Sequence, residues 1–242
     1  MTINFPNPGQ LAAALSILPS FECPNPDKTA FEDKFDGSIE LGMALNFAQS
    51  QLCSGLYLAG LILSQSNTTD NYTCEGSDLS AFEVEGSEVK LVIGNLTVTG
   101  DLLVKTPLIV TGNLIVDGLY SDVGSESPAA ILGNLVCHNV RTTSWVIVGG
   151  QTRAEHFFYG HYNDDAFESI GSLTAKAVLT DDHQILAGSI ITEFSPVEAS
   201  FFDEHIFDTR QNQDIRHLLN LWDDNLGAVI ELEELRICLE EE

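Results

Sequence analysis

The run Gly94-Asn95-Leu96-Thr97-Val98-Thr99-Gly100-Asp101-Leu102-Leu103-Val104-Lys105-Thr106-Pro107-Leu108-Ile109-Val110-Thr111-Gly112-Asn113-Leu114-Ile115-Val116-Asp117-Gly118 decides the fold. Gly94, Gly100, Gly112 and Gly118 fall on one six-residue register, Thr106 fills its gap and Gly124 continues it. Leu96, Leu102, Leu108 and Leu114 follow two residues after each register position, and Val98, Val104, Val110 and Val116 follow four after. Residues two apart share one face of a strand. Leu and Val therefore point to one side, and Thr97, Leu103, Ile109 and Ile115 to the other. Gly-Asn or Gly-Asp then turns the corner, because both residue types tolerate left-handed backbone angles. Three such sides close a coil of about 18 residues, the period of a hexapeptide solenoid. The expectation is a mostly β chain wound as a parallel β-helix. A β-sandwich would need no such register and would show hairpin turns.

The longer repeat agrees. Gly94-Asn95-Leu96, Gly112-Asn113-Leu114 and Gly133-Asn134-Leu135 open successive coils of nearly equal length. Gly171-Ser172-Leu173 comes two coils on, with Val146-Ile147-Val148-Gly149 between, and Gly188-Ser189-Ile190 opens the coil after that. Degraded copies, Leu56-x-Leu58-x-Gly60 and Phe82-x-Val84-x-Gly86, extend the predicted solenoid over 56–194, with a polar loop insertion at about 64–80. An open coil end exposes strand edges and core, so repeat proteins need caps. Pro8 precedes a stripe of Leu11, Ala14, Leu15 and Leu18, and a second stripe of Leu41, Ala44, Leu45, Ala48 and Leu52 ends at Gly55. These predict an α-helical N-terminal cap over 1–55. Ile215, Leu218, Leu219 and Trp222, with the Glu/Leu-rich tail from Ala228, predict an acidic, α-helical C-terminal cap over 195–242.

Hydrophobic residues make up 44% of the 242, so the chain folds and is not an acidic disordered tail. Asp and Glu number 36 against 10 Lys and Arg, a net charge of -26. Phosphate contacts need a basic patch, so direct nucleic-acid binding is disfavoured. A basic protein partner suits the charge through complementary potentials. No cationic stretch precedes the first apolar residues, the first Lys being Lys28, and the apolar run Leu56 to Leu63 is too short to span a bilayer. Cys23, Cys53, Cys74, Cys137 and Cys238 show no Cys-x-x-Cys spacing and read as reduced thiols of a cytoplasmic protein.

The Gly-Asn-Leu-x-Val-x-Gly run over Leu91 to Gly118 resembles the bactofilin-like, polymer-forming β-helix proteins of bacteria. The stretch from Tyr159-Gly160-His161-Tyr162-Asn163 through Gly171-Ser172-Leu173-Thr174-Ala175 to Asp181-Asp182-His183 resembles bacterial solenoid proteins, some encoded beside polymorphic or contact-delivered toxins. The first resemblance implies a coil-stacking scaffold, the second an immunity-type protein. The capped ends predicted here depart from the bare coil of bactofilins.

Candidate chemistry is sparse. His138, His156, His161 and His183 lie near Asp164, Asp165, Asp181 and Asp182, and hexapeptide enzymes hold metals on histidines between coils. Polar residues also simply occupy corners, and Asp181-Asp182-His183 follows Val178-Leu179 as a turn would. No catalytic residue, metal or cofactor is assigned. Cys137 takes an inward Val position of the repeat and reads as core. Phe157, Phe158, Tyr159 and Tyr162 form an aromatic cluster that interrupts the solenoid, either sealing an irregular coil or forming an exposed ridge. Phe201, Phe202, Ile206 and Phe207 interleave with Asp203, Glu204 and Asp208 in a second such segment.

The functional expectation is a non-enzymatic protein that neutralises a basic toxin, such as a nuclease, through an acidic surface. The partner-binding candidates are Phe157, Phe158, Tyr159, Tyr162, Asp164, Asp165, Asp203, Glu204, Asp208, Glu231, Glu233 and Glu234. The alternative is a polymer-forming scaffold. An acidic mimic of DNA and a hexapeptide-type enzyme are further readings. No membrane contact is expected, and a homodimer is compatible.

Overall fold

The alternation of inward Leu and Val with outward residues builds strands three to ten residues long that wind in one sense. The computed structural model describes residues 2–4, 38–40, 70–75, 82–85, 90–161, 165–196 and 204–210. From Asp70 to Asp208 every pairing between the described strands is parallel, the one antiparallel contact being the isolated bridge of His161 with Asp182, and this excludes the sandwich.

The strands form three faces. The first holds Asp70–Glu75, Gly94–Thr99, the first half of Leu114–Asp122, the first half of Leu135–Thr142, Thr152–Ala154, and the second halves of Ala166–Ala175 and Gln184–Thr192. The second holds Phe82–Val84, Leu102–Val104, the second halves of Leu114–Asp122 and Leu135–Thr142, Phe157–His161, Ala177–Asp181 and Ile206–Asp208. The third holds Lys90–Val92, Leu108–Val110, Ala129–Ile131, Val146–Val148, and the first halves of Ala166–Ala175 and Gln184–Thr192. The column Leu96, Leu114, Leu135, Thr152, Leu173, Ile190 climbs the first face by one coil at each step.

The core lies inside the coil. Leu96, Leu114, Leu135 and Leu173 meet Leu102, Tyr120, Val140, Phe158 and Val178 from the second face and Leu108, Val146 and Phe167 from the third. The rings of Phe158 and Phe167 meet edge-on at 4.5 Å. Each fully buried Leu or Phe contributes about 1.5–3 kcal/mol of transfer free energy. Cys137 pairs in register with Val116 and is buried, as its place in the repeat predicts.

The glycines answer to two causes, and the expected one holds for part of the register: Gly94, Gly100 and Gly124 take left-handed angles. At Gly112, Gly133, Gly150 and Gly171 the constraint is close approach: each donates its N–H to the carbonyl of the glycine one coil earlier at 2.8 to 2.9 Å. The asparagines beside them form a second ladder. Asn95 Oδ1 accepts from Asn113 N, Asn113 Oδ1 from Asn134 N and Asn134 Oδ1 from Gln151 N, each at 2.8 Å.

Three expectations change. Asp70–Glu75 lies inside the segment predicted as a loop at 64–80, yet it is a strand of the first face, in register with Gly94–Thr99. Phe157–His161 does not interrupt the solenoid; it is a strand of the second face between Leu135–Thr142 and Ala177–Asp181. Ile206–Asp208, placed in the helical C-terminal cap, is a strand paired with Ala177–Asp181, because Ile206 continues the buried column above Val178. The predicted helices of both caps and the repeat at Leu56 lie outside the described residues. Within 1–55, Thr2–Asn4 and Ser38–Glu40 form an antiparallel pair.

Candidate functional site

The three faces differ in what their outward side chains meet. On the third face Ile109, Ala130, Ile147 and Glu168 occupy outward positions and are all buried. On the second face the outward Tyr159, Leu179 and Phe207 are buried as well. The first face is open among the described residues. Ile115, Val136 and Ile191 stand on it at 40%, 37% and 53% exposure, three of the four exposed large hydrophobics among the described residues.

Three outward columns run along this open face. The first carries the amide ladder of Asn113, Asn134 and Gln151. The middle one reads Thr97, Ile115, Val136, Arg153, Thr174, Ile191, by the register of the paired strands. The third runs along the corner beside it: Thr99 pairs with Asp117, His138 lies between Asp117 and Glu155, Lys176 follows one coil on from Glu155 and His156, and Glu193 N donates to Lys176 O. His138 Nε2 sits 3.3 Å from Asp117 Oδ1 and 3.3 Å from Glu155 Oε2, bridging the coils above and below its own. Beside it His156 packs 6.1 Å from the His138 ring, and burial holds its imidazole below the usual histidine range.

A second polar group gathers at the last coil. Tyr159 Oη lies 3.1 Å from His161 Nδ1, and Asp181 Oδ2 lies 3.4 Å from the same nitrogen. Asp182 turns the corner with φ of 67°. Arg210 grips Asp208 with Nε at 2.9 Å and an Nη at 2.8 Å, and reaches Asp182 at 2.6 Å. The hydrogen bonds to Asp208, with the Asp208, Asp182 and Asp181 charges, hold the guanidinium above its usual range. Thr209 N donates to Thr180 O at 2.9 Å, so this corner fastens residues 204–210 to the coil.

A third group is inside. Asp122 follows the inward Val84 and Val104 in its column. Its carboxylate accepts from Thr142 Oγ1 at 2.7 Å and from Thr143 N at 2.6 Å. Burial raises its pKa to about 6, against the opposing pull of those hydrogen bonds and of Arg141.

The candidates chosen from sequence scatter. Phe157, Phe158 and Tyr159 are buried and form no surface ridge. Asp165 is buried, and Asp208 is buried against Arg210. Glu204 is exposed. Tyr162, Asp164, Asp203, Glu231, Glu233 and Glu234 lie outside the described residues. His183 is fully buried, its ring so close that a Cβ on Gly160 would meet its Cδ2 at 2.8 Å. No group of three or more His, Cys, Asp or Glu suited to a metal ion occurs among the described residues. No helix among them is long and apolar enough to cross a membrane. The open face was missed, although its signal was present: Ile115 and Val136 are apolar residues at outward positions. The chain matches no protein-family model, no curated protein and no solved structure.

Proposed function

We propose that this chain is a binding protein for a basic partner and acts as an immunity-type protein that neutralises a basic toxin. The observation that carries the reading is where the charge sits. Residues 90–196 hold 11 of the 36 acidic residues and five of the ten basic ones, so the coil body is only mildly acidic. Residues 197–242 hold 13 acidic against three basic residues, and residues 1–89 hold 12 against two. The C-terminal acidic segment is fastened to the solenoid at Ile206–Asp208 through strand pairing and the Thr209 to Thr180 hydrogen bonds. A segment of one sign attracts a partner of the other sign and speeds its encounter. The partial resemblance to solenoids encoded beside toxins supports the same reading. Co-expression with a toxin encoded beside the gene tests it. Restored growth and a stable complex support neutralisation; the absence of both protection and complex removes it.

A scaffold that grows by stacking coils is the second reading. It is favoured by Gln184–Thr192, whose outer edge meets no further strand among the described residues. Filaments in electron micrographs of the purified chain would favour it over neutralisation.

A further inference from the structure

We infer that the open first face is an interface between two copies of this chain, packed face to face with their coil order inverted. The side chains of that face point to this, independently of the acidic flanks.

The third outward column reads Asp117, His138, Glu155, Lys176 from one coil to the next. A two-fold axis parallel to the strands, placed between the coils of His138 and Glu155, inverts this order in the second copy. Asp117 then faces Lys176 of the second copy, and His138 faces Glu155 of the second copy. Both contacts recur, because a two-fold interface uses the same patch twice. The middle column responds in the same way. Val136 meets the aliphatic stem of Arg153, Ile115 meets Thr174, and Thr97 meets Ile191. Long charged stems cover apolar surface well while their heads stay hydrated.

The charges also select the register. Moving the axis onto the coil of His138 sets Asp117 against Glu155. Moving it onto the coil of Glu155 sets Asp117 against Glu193, His138 against Lys176 and Glu155 against itself. Like charges placed opposite one another penalise both alternatives. The remaining groups suit an interface core. Ile115 at 40% and Val136 at 37% exposure lie side by side on the first face, bordered by amides and charges. An apolar centre with a polar rim is the usual anatomy of a protein contact.

The test uses the full chain in sedimentation and light scattering. The wild type is expected to be a dimer at micromolar concentration. Asp117→Lys sets two cations against each other at both symmetric positions, and Lys176→Asp sets two anions there. Each substitution should weaken dimerisation roughly tenfold or more. Mixed in equal amounts, the two variants should form heterodimers, because each then supplies the charge that the other lost. Circular dichroism checks that both are folded. Should either fail to fold, Ile115→Asn, which changes no charge, takes its place and should also weaken the dimer. A monomeric wild type, a dimer indifferent to both reversals, or a mixture that stays monomeric would each overturn the interface.

Discussion

Gly112 donates its backbone N–H to the carbonyl of Gly94 at 2.8 Å, and a Cβ at position 112 would lie 2.6 Å from that same oxygen. The coils thus stack at backbone distance along a column that admits no side chain. Gly112→Ala must push adjacent coils apart or break that bond. A loss of about 1–3 kcal/mol is expected, the range of overpacking substitutions. The midpoint of urea unfolding measures it. An unchanged midpoint would show that the coil yields without cost.

The asparagine beside that glycine is expected to matter less. Asn113 Oδ1 accepts from Asn134 N at 2.8 Å in an exposed corner. Asn113→Ala should cost about 1 kcal/mol, the usual net value of one such bond. Asn113→Asp keeps the acceptor and should recover part of the loss. Thermal unfolding of the two variants side by side tests the order.

The pH dependence of Asp122 follows from its environment. Its folded pKa is raised from 3.8 to about 6 by burial. A raised pKa means that the folded state holds the proton more tightly than the unfolded chain. The associated stability is complete below about pH 4 and is lost as pH rises through about 6. Asp122→Asn removes this titration. The variant should gain on the wild type between pH 4 and pH 7, by about 3 kcal/mol at most. Parallel stability–pH curves would show that Asp122 is not so perturbed.

Burial separates core from surface among the candidate residues. Phe158 is fully buried against Phe167, so Phe158→Ala should cost about 3–5 kcal/mol. Ile191 is 53% exposed, and Ile191→Ser should change monomer stability by about 0.5 kcal/mol or less. Guanidinium unfolding of the two variants distinguishes these values easily.

The pattern of these residues shows what a sequence can reveal about such a chain. Leu96 to Val116 were legible because inward positions recur at a fixed short period, and that period comes from strand and corner geometry alone. Asp70–Glu75 was hidden because its strand is polar and lacks the Gly-Asn-Leu signature. Phe157–His161 looked like an interruption because one aromatic run carries both inward Phe158 and outward, yet buried, Phe157 and Tyr159. Turn conformation explains Gly94, Gly100 and Gly124, whereas Gly112, Gly133, Gly150 and Gly171 answer to contacts with the neighbouring coil. The open face stayed hidden for a related reason. The apolar outward residues Ile115 and Val136 could be read from the repeat, but whether an outward residue is covered depends on the rest of the chain.

The acidic flank carries the proposed function, and a calorimetric titration reads its contribution. The full chain is titrated with a basic toxin domain of the kind proposed, at low salt and then at higher salt. The expected result is a stoichiometric complex that weakens as salt rises and weakens further when Glu231, Glu233 and Glu234 are each changed to Gln. No heat of binding at low salt, or an affinity indifferent to both salt and those three changes, would contradict it.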